Sequence, residues 1–189
     1  AYTNLVLPAT LRRHGLSGRD AGFVTELVSG SVRGQGLYDA VLTASIDRPL
    51  RKVEAAVVDA LRLGVHQLLA MRVPPHAALS TTVDLVRSIS GPGAAGFANA
   101  VLRRVAQQDL DAWIAQVSDD PDPVRRLATA TSHPVWVVNE LRQSLGSDDG
   151  ELAALLAADN APPRVTLVAR PGRSTPAELG GEPTPWSPY

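Results

Sequence analysis

The chain has 189 residues, 44% of them hydrophobic, enough to build a core and to exclude disorder throughout. Its 18 Lys+Arg against 19 Asp+Glu leave a formal net charge of −1, which as a total points to no polyanionic partner. With 0 Cys there is no disulfide framework and no thiol nucleophile; with no apolar run of about 18 residues and no signal peptide, the chain reads as soluble and cytoplasmic, without a membrane partner. Helical periodicity dominates from there to about residue 160. Ser17 followed three residues later by Asp20 resembles a capping box and opens a long helix over about 19–44, its face begun by Phe23, Leu27, Val28 and Ser31. Gly34 and Gly36 predict a bend within it. Val53, Val57, Leu61, Gly64 and Leu68 form one apolar stripe and predict a helix over 53–71, which Pro74 and Pro75 stop. Leu79, Val83 and Val86 carry a new stripe towards Ile89, and Phe97, Val101, Leu102 and Val105 mark the next helix. Three acids and two prolines in Asp119–Pro123 make a turn or exposed linker. Short helices are expected at 123–131, 134–145 and 149–159. The period then changes to the alternating run Arg164–Arg170, the one predicted strand, whose sheet partners must lie outside these residues. The Pro-, Gly- and Ser-rich tail from Pro171 to Tyr189 reads as a loop or poorly ordered.

Gly91-Pro92-Gly93-Ala94-Ala95-Gly96 is formally a G-x-G-x-x-G, but a dinucleotide fingerprint needs a preceding strand and here a helical pattern leads in. It reads as a helix–helix loop, with a phosphate on the amides of the following helix as the other possibility. His14, His66, His76 and His133 show no metal-ligand spacing, His66 reads as a half-buried packing residue bonded to backbone, and no nucleophile elbow is present. No catalytic, cofactor or metal residue is therefore assigned. Asn99 lies between Phe97 and Val101 near a core-facing stripe, so its amide needs a partner: an interhelical hydrogen bond or an RNA contact. The neutral total also hides a division. Residues 1–105 carry 12 basic against 7 acidic side chains, residues 106–189 carry 6 against 12, and every cation except Lys52 is an arginine. Arg12, Arg13, Arg19, Arg33, Arg103 and Arg104 are the candidates for phosphate contact, with few aromatics to stack on bases.

The order of segments is familiar. Asp20–Gly30, then Leu61–Leu69, then Val73–Ala78, then Gly96–Arg104 resembles the NusB-like domain that opens the RsmB (Sun/Fmu) family of ribosomal RNA cytosine-5 methyltransferases. Ser132-His133-Pro134-Val135-Trp136, Asp159–Arg170 and Trp186–Tyr189 resemble the segment that leads into the family's methyltransferase half, which a free antitermination factor would lack. The resemblance implies a mainly α fold: a NusB-like helical RNA-binding bundle (1–118), an acidic helical connector (119–160), and one strand of a truncated α/β region opening the methyltransferase (161–189). It implies ribosomal RNA as partner, for which Arg12, Arg13, Arg19, Arg33, Asn99, Arg103 and Arg104 are, by charge and position, the candidate contacts, and packing against the parent's own methyltransferase domain. S-adenosylmethionine and the family's two cysteines belong to that domain. The chain starts without the helix that members place upstream and stops before any cofactor motif, so the expectation is an inactive docking fragment. The alternative is a NusB-type antitermination or ribosomal-protein interaction module.

Overall fold

Val57, Leu61 and Gly64, three members of the apolar stripe, lie buried along one face of the central helix in a computed structural model of the chain. The structure describes residues 2–146, 148–162, 166–180, 182, 184 and 185. Among them are the helices α1 (Thr3–Arg13), α2 (Gly18–Arg33), α3 (Gln35–Ser45), α4 (Ala55–Leu69), α5 (Pro75–Val105), α6 (Leu110–Val117), α7 (Pro123–Ala130), α8 (Val135–Ser144) and α9 (Asp149–Asn160), with 3-10 turns at Leu50–Lys52 and Pro176–Leu179. The fold is thus mainly α, with α4 packed against α2, α3 and α5.

Two glycines decide the path of the chain. The bend expected near Gly34 is a full break: α2 ends at Arg33, α3 starts at Gln35, and Gly34 caps both. Gly91 adopts φ 83° and ψ −179°, a conformation that only glycine takes without strain, and Pro92 opens the following stretch. Both ends of α5 line one groove, His76 facing Arg103 and Gln107 across it, so the halves 75–90 and 92–105 fold back on each other. The predicted loop at 91–96 therefore shrinks to one residue, because Pro92 is pre-set for a first helical turn.

The main core gathers Val41 and Leu42 from α3, Val57, Leu61 and Val65 from α4, Val86, Val101, Leu102 and Val105 from α5, and Trp113 from α6. A second, smaller core joins Ala128, Val138, Leu152 and Leu156 of α7–α9. Arg62 of α4 clasps Asp39 of α3 through two parallel bonds, Nε–Oδ1 at 2.7 Å and Nη2–Oδ2 at 2.8 Å, and Asp59 takes a third.

Three expectations are corrected. No strand occurs among the described residues: Thr166–Arg170 take no regular structure, while Arg164 and Val165 lie outside them. An alternating pattern makes a strand only where a neighbour pairs its N–H and C=O groups, and no second β segment occurs among the described residues to do so. Ser17 is the N-cap of α2, yet its side chain makes no capping bond; the caps that form are Asp109, Asp122 and Asp148, each accepting from the first amides of its helix. The tail is not wholly irregular, since Thr175 and Glu178 form a reciprocal capping box around the 3-10 turn Pro176–Leu179.

Candidate RNA interface

The second half of α5 brings Asn99, Arg103 and Arg104 onto neighbouring turns. Arg104 Nη1 donates to the carbonyl of Ser45, the last residue of α3, at 3.1 Å, and lies 3.7 Å from the Asp47 carboxylate. A cation at a helix C-terminus meets the negative end of its dipole, so this contact fixes the end of α3 to α5. Asn99 Oδ1 accepts from Arg103 Nε at 3.3 Å. The Asn99 bond thus runs along its own helix, in place of the interhelical bond expected, because one turn of helix brings residues four apart side by side. Beside them Arg48, in the loop after α3, stacks over the Phe97 ring at 4.8 Å.

Two concave surfaces flank this row. A groove of about 660 Å³ between the halves of α5 is lined by His76, Asp84, Arg87, Asn99 and Arg103 among others, with Arg87 paired to Asp84. A smaller one on the other side is lined by Ser45, Asp47, Arg48, Phe97 and Arg104. Exposed guanidinium groups beside open grooves can bind phosphate oxygens in pairs, and such contacts orient a polyanion without reading its sequence.

The remaining candidates stand elsewhere. Arg12 and Arg13 are exposed in the last turn of α1, and Arg19 in the first turn of α2, so these three surround one interhelical turn. Arg33 sits at the opposite end of α2, about 21 Å from Arg19 at 1.5 Å per residue. It is half-buried, and its charge lies near enough to the Tyr38–His66 pair to favour lower pKa values for both groups. Arg33 adjoins the start of α3 and Arg104 holds its end, about 16 Å apart by the same rise. The seven predicted residues thus fall on three stretches of the fold: the α1–α2 turn, the end of α2 and the second half of α5.

His66 is more buried than expected, and its partner is a side chain: Nδ1 pairs with Tyr38 Oη at 2.8 Å. Its Nε2 lies 3.8 Å from the Glu26 carboxylate and has no hydrogen-bond partner of good geometry among the described residues. Burial lowers the His66 pKa from its ordinary 6.5, Glu26 opposes that and Arg33 reinforces it; burial also pushes the Tyr38 phenol up to about 12. A depressed histidine supports the fold above the ordinary value and weakens it as pH falls through and below 6.5. The melting temperature is expected to decline between pH 7 and 5, and His66→Gln to flatten that profile; an unchanged slope in the variant would assign the decline to other groups.

Other sequence features resolve simply. Gly91–Gly96 sits at a helix kink without the strand–turn–helix context of a nucleotide loop. In the acidic run, Asp122 caps α7 and Asp120 accepts from Arg125 Nε at 3.0 Å, which holds the Asp120 carboxyl below its usual range. No cluster of three or more His, Asp or Glu side chains suited to a metal ion occurs among the described residues, and no helix there is long and apolar enough to cross a membrane. Sequence reasoning missed Arg48 and Arg87 at the grooves. Arg48 belongs to a loop with no periodicity to flag it, and only its spacing to Phe97 in space makes it part of the row.

A helical bundle whose kinked hairpin carries an arginine row above a shared core is the class of domain these features define. Residues 1–107 match the model of the NusB family, and the chain belongs to that family. Among curated relatives, a Mycobacterium tuberculosis protein named "Putative methyltransferase" is 44% identical over 181 residues, covering 95% of this chain and 40% of the relative. "Probable ribosomal RNA small subunit methyltransferase B" of Bacillus subtilis is 33% identical over 180 residues, 95% of this chain and 39% of its own length. "Ribosomal RNA small subunit methyltransferase B" of Pseudomonas putida is 33% identical over 180 residues, 95% and 38%. These names agree with the resemblance carried by the residues. The chain spans about 40% of the length of the relatives it matches.

Proposed function

We propose that this chain is the RNA-docking region of an S-adenosylmethionine-dependent rRNA cytosine-C5 methyltransferase of the cytoplasm, inactive by itself. The observation that carries the reading is the row Arg48, Asn99, Arg103 and Arg104 on the α3–α5 face, flanked by open grooves and set in a NusB-family bundle. Residues 1–118 are then the RNA-binding bundle, 119–160 the connector and 161–189 the approach to the catalytic half. The two separate hydrophobic cores, and relatives that extend well past this chain, support that partition. Arg12, Arg13 and Arg19 provide a second basic group, which a long RNA can reach together with the first. S-adenosylmethionine does not fit the residues described here: the one glycine-rich run is a helix kink, and no parallel sheet offers a crevice. Cofactor and chemistry belong to the remainder of the parent enzyme, against which this region would pack.

Two phosphate-binding arginines act through counterion release, so their loss shows as a changed salt dependence. In the 189-residue chain, Arg103→Ala with Arg104→Ala is expected to weaken binding to small-subunit rRNA hairpins by about tenfold or more and to reduce the log–log salt slope by about 1 per arginine. Equal affinity for an unrelated RNA, or binding indifferent to salt, would overturn the reading. Capture of a ribosomal protein without RNA would favour a protein-interaction module instead.

A further inference from the structure

Ser132-His133-Pro134 offers no charge pattern for RNA and no catalytic partner, yet Ser132 is the one non-glycine residue with positive φ among the described residues, at 58°. It follows α7 in a Schellman turn: the Ser132 N–H donates to the Thr129 carbonyl at 3.2 Å and the His133 N–H to the Ala128 carbonyl at 2.9 Å. Glycine fills that place with least strain, and a serine there is disfavoured. What serine adds is its hydroxyl. Ser132 Oγ accepts from the N–H groups of Gly36 at 2.9 Å and Leu37 at 3.3 Å, amides that the first turn of α3 leaves without helical partners. Gly36 completes the seat, since a Cβ there would stand 3.2 Å from the same oxygen. The other side of the turn is held from α9, where Asn160 Nδ2 donates to the Thr131 carbonyl at 2.6 Å and Asp159 lies 3.9 Å from His133 Nε2. Within three residues, the turn grips the start of α3 and the end of α9.

α3 passes the constraint on, because its last carbonyl is the one that Arg104 holds. We propose that the Thr131–Ser132–His133 turn is a joint that sets the position of α9, and of the chain leaving it, relative to the Arg103–Arg104 face, with Ser132 as its positioning residue. In an enzyme that docks RNA on one part and modifies it on another, such a joint fixes the span between the two. That last consequence rests on the RNA reading above; the joint itself does not.

With 0 Cys in the sequence, cysteines introduced at the exposed Ala100 and Ala157 take spin labels without background. Ser132→Gly suits the positive φ of the turn and removes the hydroxymethyl group, and with it the acceptor oxygen. In the 189-residue chain without RNA, this variant is expected to exchange the Gly36 and Leu37 amides at least tenfold faster and to broaden the 100–157 distance distribution at least twofold, with helix content unchanged. Ser132→Asn, which tolerates positive φ and offers an acceptor oxygen, is expected to restore the protection. Unchanged exchange and width would overturn the proposal, and so would faster exchange without broadening, which would make Ser132 a helix cap only. Both readouts are taken without RNA, so failure of the docking reading leaves them standing.

Discussion

Trp113→Ala is expected to destabilise the chain by about 3–5 kcal/mol, the largest single-residue effect in the bundle. The indole is 2% exposed, the largest of the fully buried side chains, and its Nε1 donates to the Val105 carbonyl at 2.9 Å. Val105 is the last residue of α5, so the bond ties α6 to the helix end that carries Arg103 and Arg104. Truncation removes the apolar contacts, opens a cavity in the main core, and takes the partner from a buried carbonyl. Against the 5–15 kcal/mol that holds an ordinary domain, this is a large share. Urea unfolding would show it as a lower midpoint at unchanged slope. Trp113→Phe, which refills most of the space without the bond, should fall between; a loss below about 1 kcal/mol in the alanine variant would place α6 outside the cooperative unit.

Gly30→Val is expected to cost about 3 kcal/mol or more, although valine is the better helix former of the two. A side chain at residue 30 would enter the space of the buried His66 ring, and one at residue 34 would meet the ring of Tyr38. These rings are bonded to each other and tilted by 50° with centroids 5.7 Å apart, so neither swings away without giving up the pair. Gly30 and Gly34, one turn apart, give the two rings a flat seat on α2. For a chain of this size the loss corresponds to a melting temperature lower by roughly 6–12 °C. Pairing the substitution with His66→Ala should recover part of it, since the cavity left by one side chain accepts the other; a strictly additive double variant would mean that the two sites do not touch.

The helical half of this architecture is written plainly in the sequence because long helices repeat their burial. The stripe Val53, Val57, Leu61, Gly64, Leu68 spans four turns, and all five positions are buried or half-buried. α1 and α6 escaped notice for opposite reasons. α1 carries Leu5 at 70% exposure and no fully buried residue, with Pro8 inside it, and its inward side at Thr3, Leu7, Thr10 and Leu11 is only half-buried and half of it threonine, a weak stripe to read. α6 has a sound cap in Asp109 and a buried Trp113, but its 8 residues are too few to establish a period. The strand failed because alternation describes one partner of a ladder, and a ladder has two. At the site, residue type and net charge pointed to Arg103, Arg104 and Asn99, which are neighbours on one helix. They could not show that Arg33 is half-buried near the Tyr38–His66 pair, that Arg104 also holds the Ser45 carbonyl, or that Arg48 joins the row from a loop. Those facts depend on how the chain turns at Gly34 and Gly91. Ser132 was visible only as part of a resemblance, since its function lies in an αL backbone and a partner far along the chain.

The bond from Gly36 to Ser132 spans 96 residues, whereas α4 and α5, which meet most extensively, are consecutive helices. Loops of such different length close at different times, local ones first. During synthesis at about 5–20 residues per second, the first amides of α3 wait roughly 5–20 s for the hydroxyl that completes their turn. The bundle is thus able to acquire its core and its arginine row well before its orientation to α7–α9 is settled: Ser132 comes late to α3, and Asn160, which holds the other side of the turn, later still.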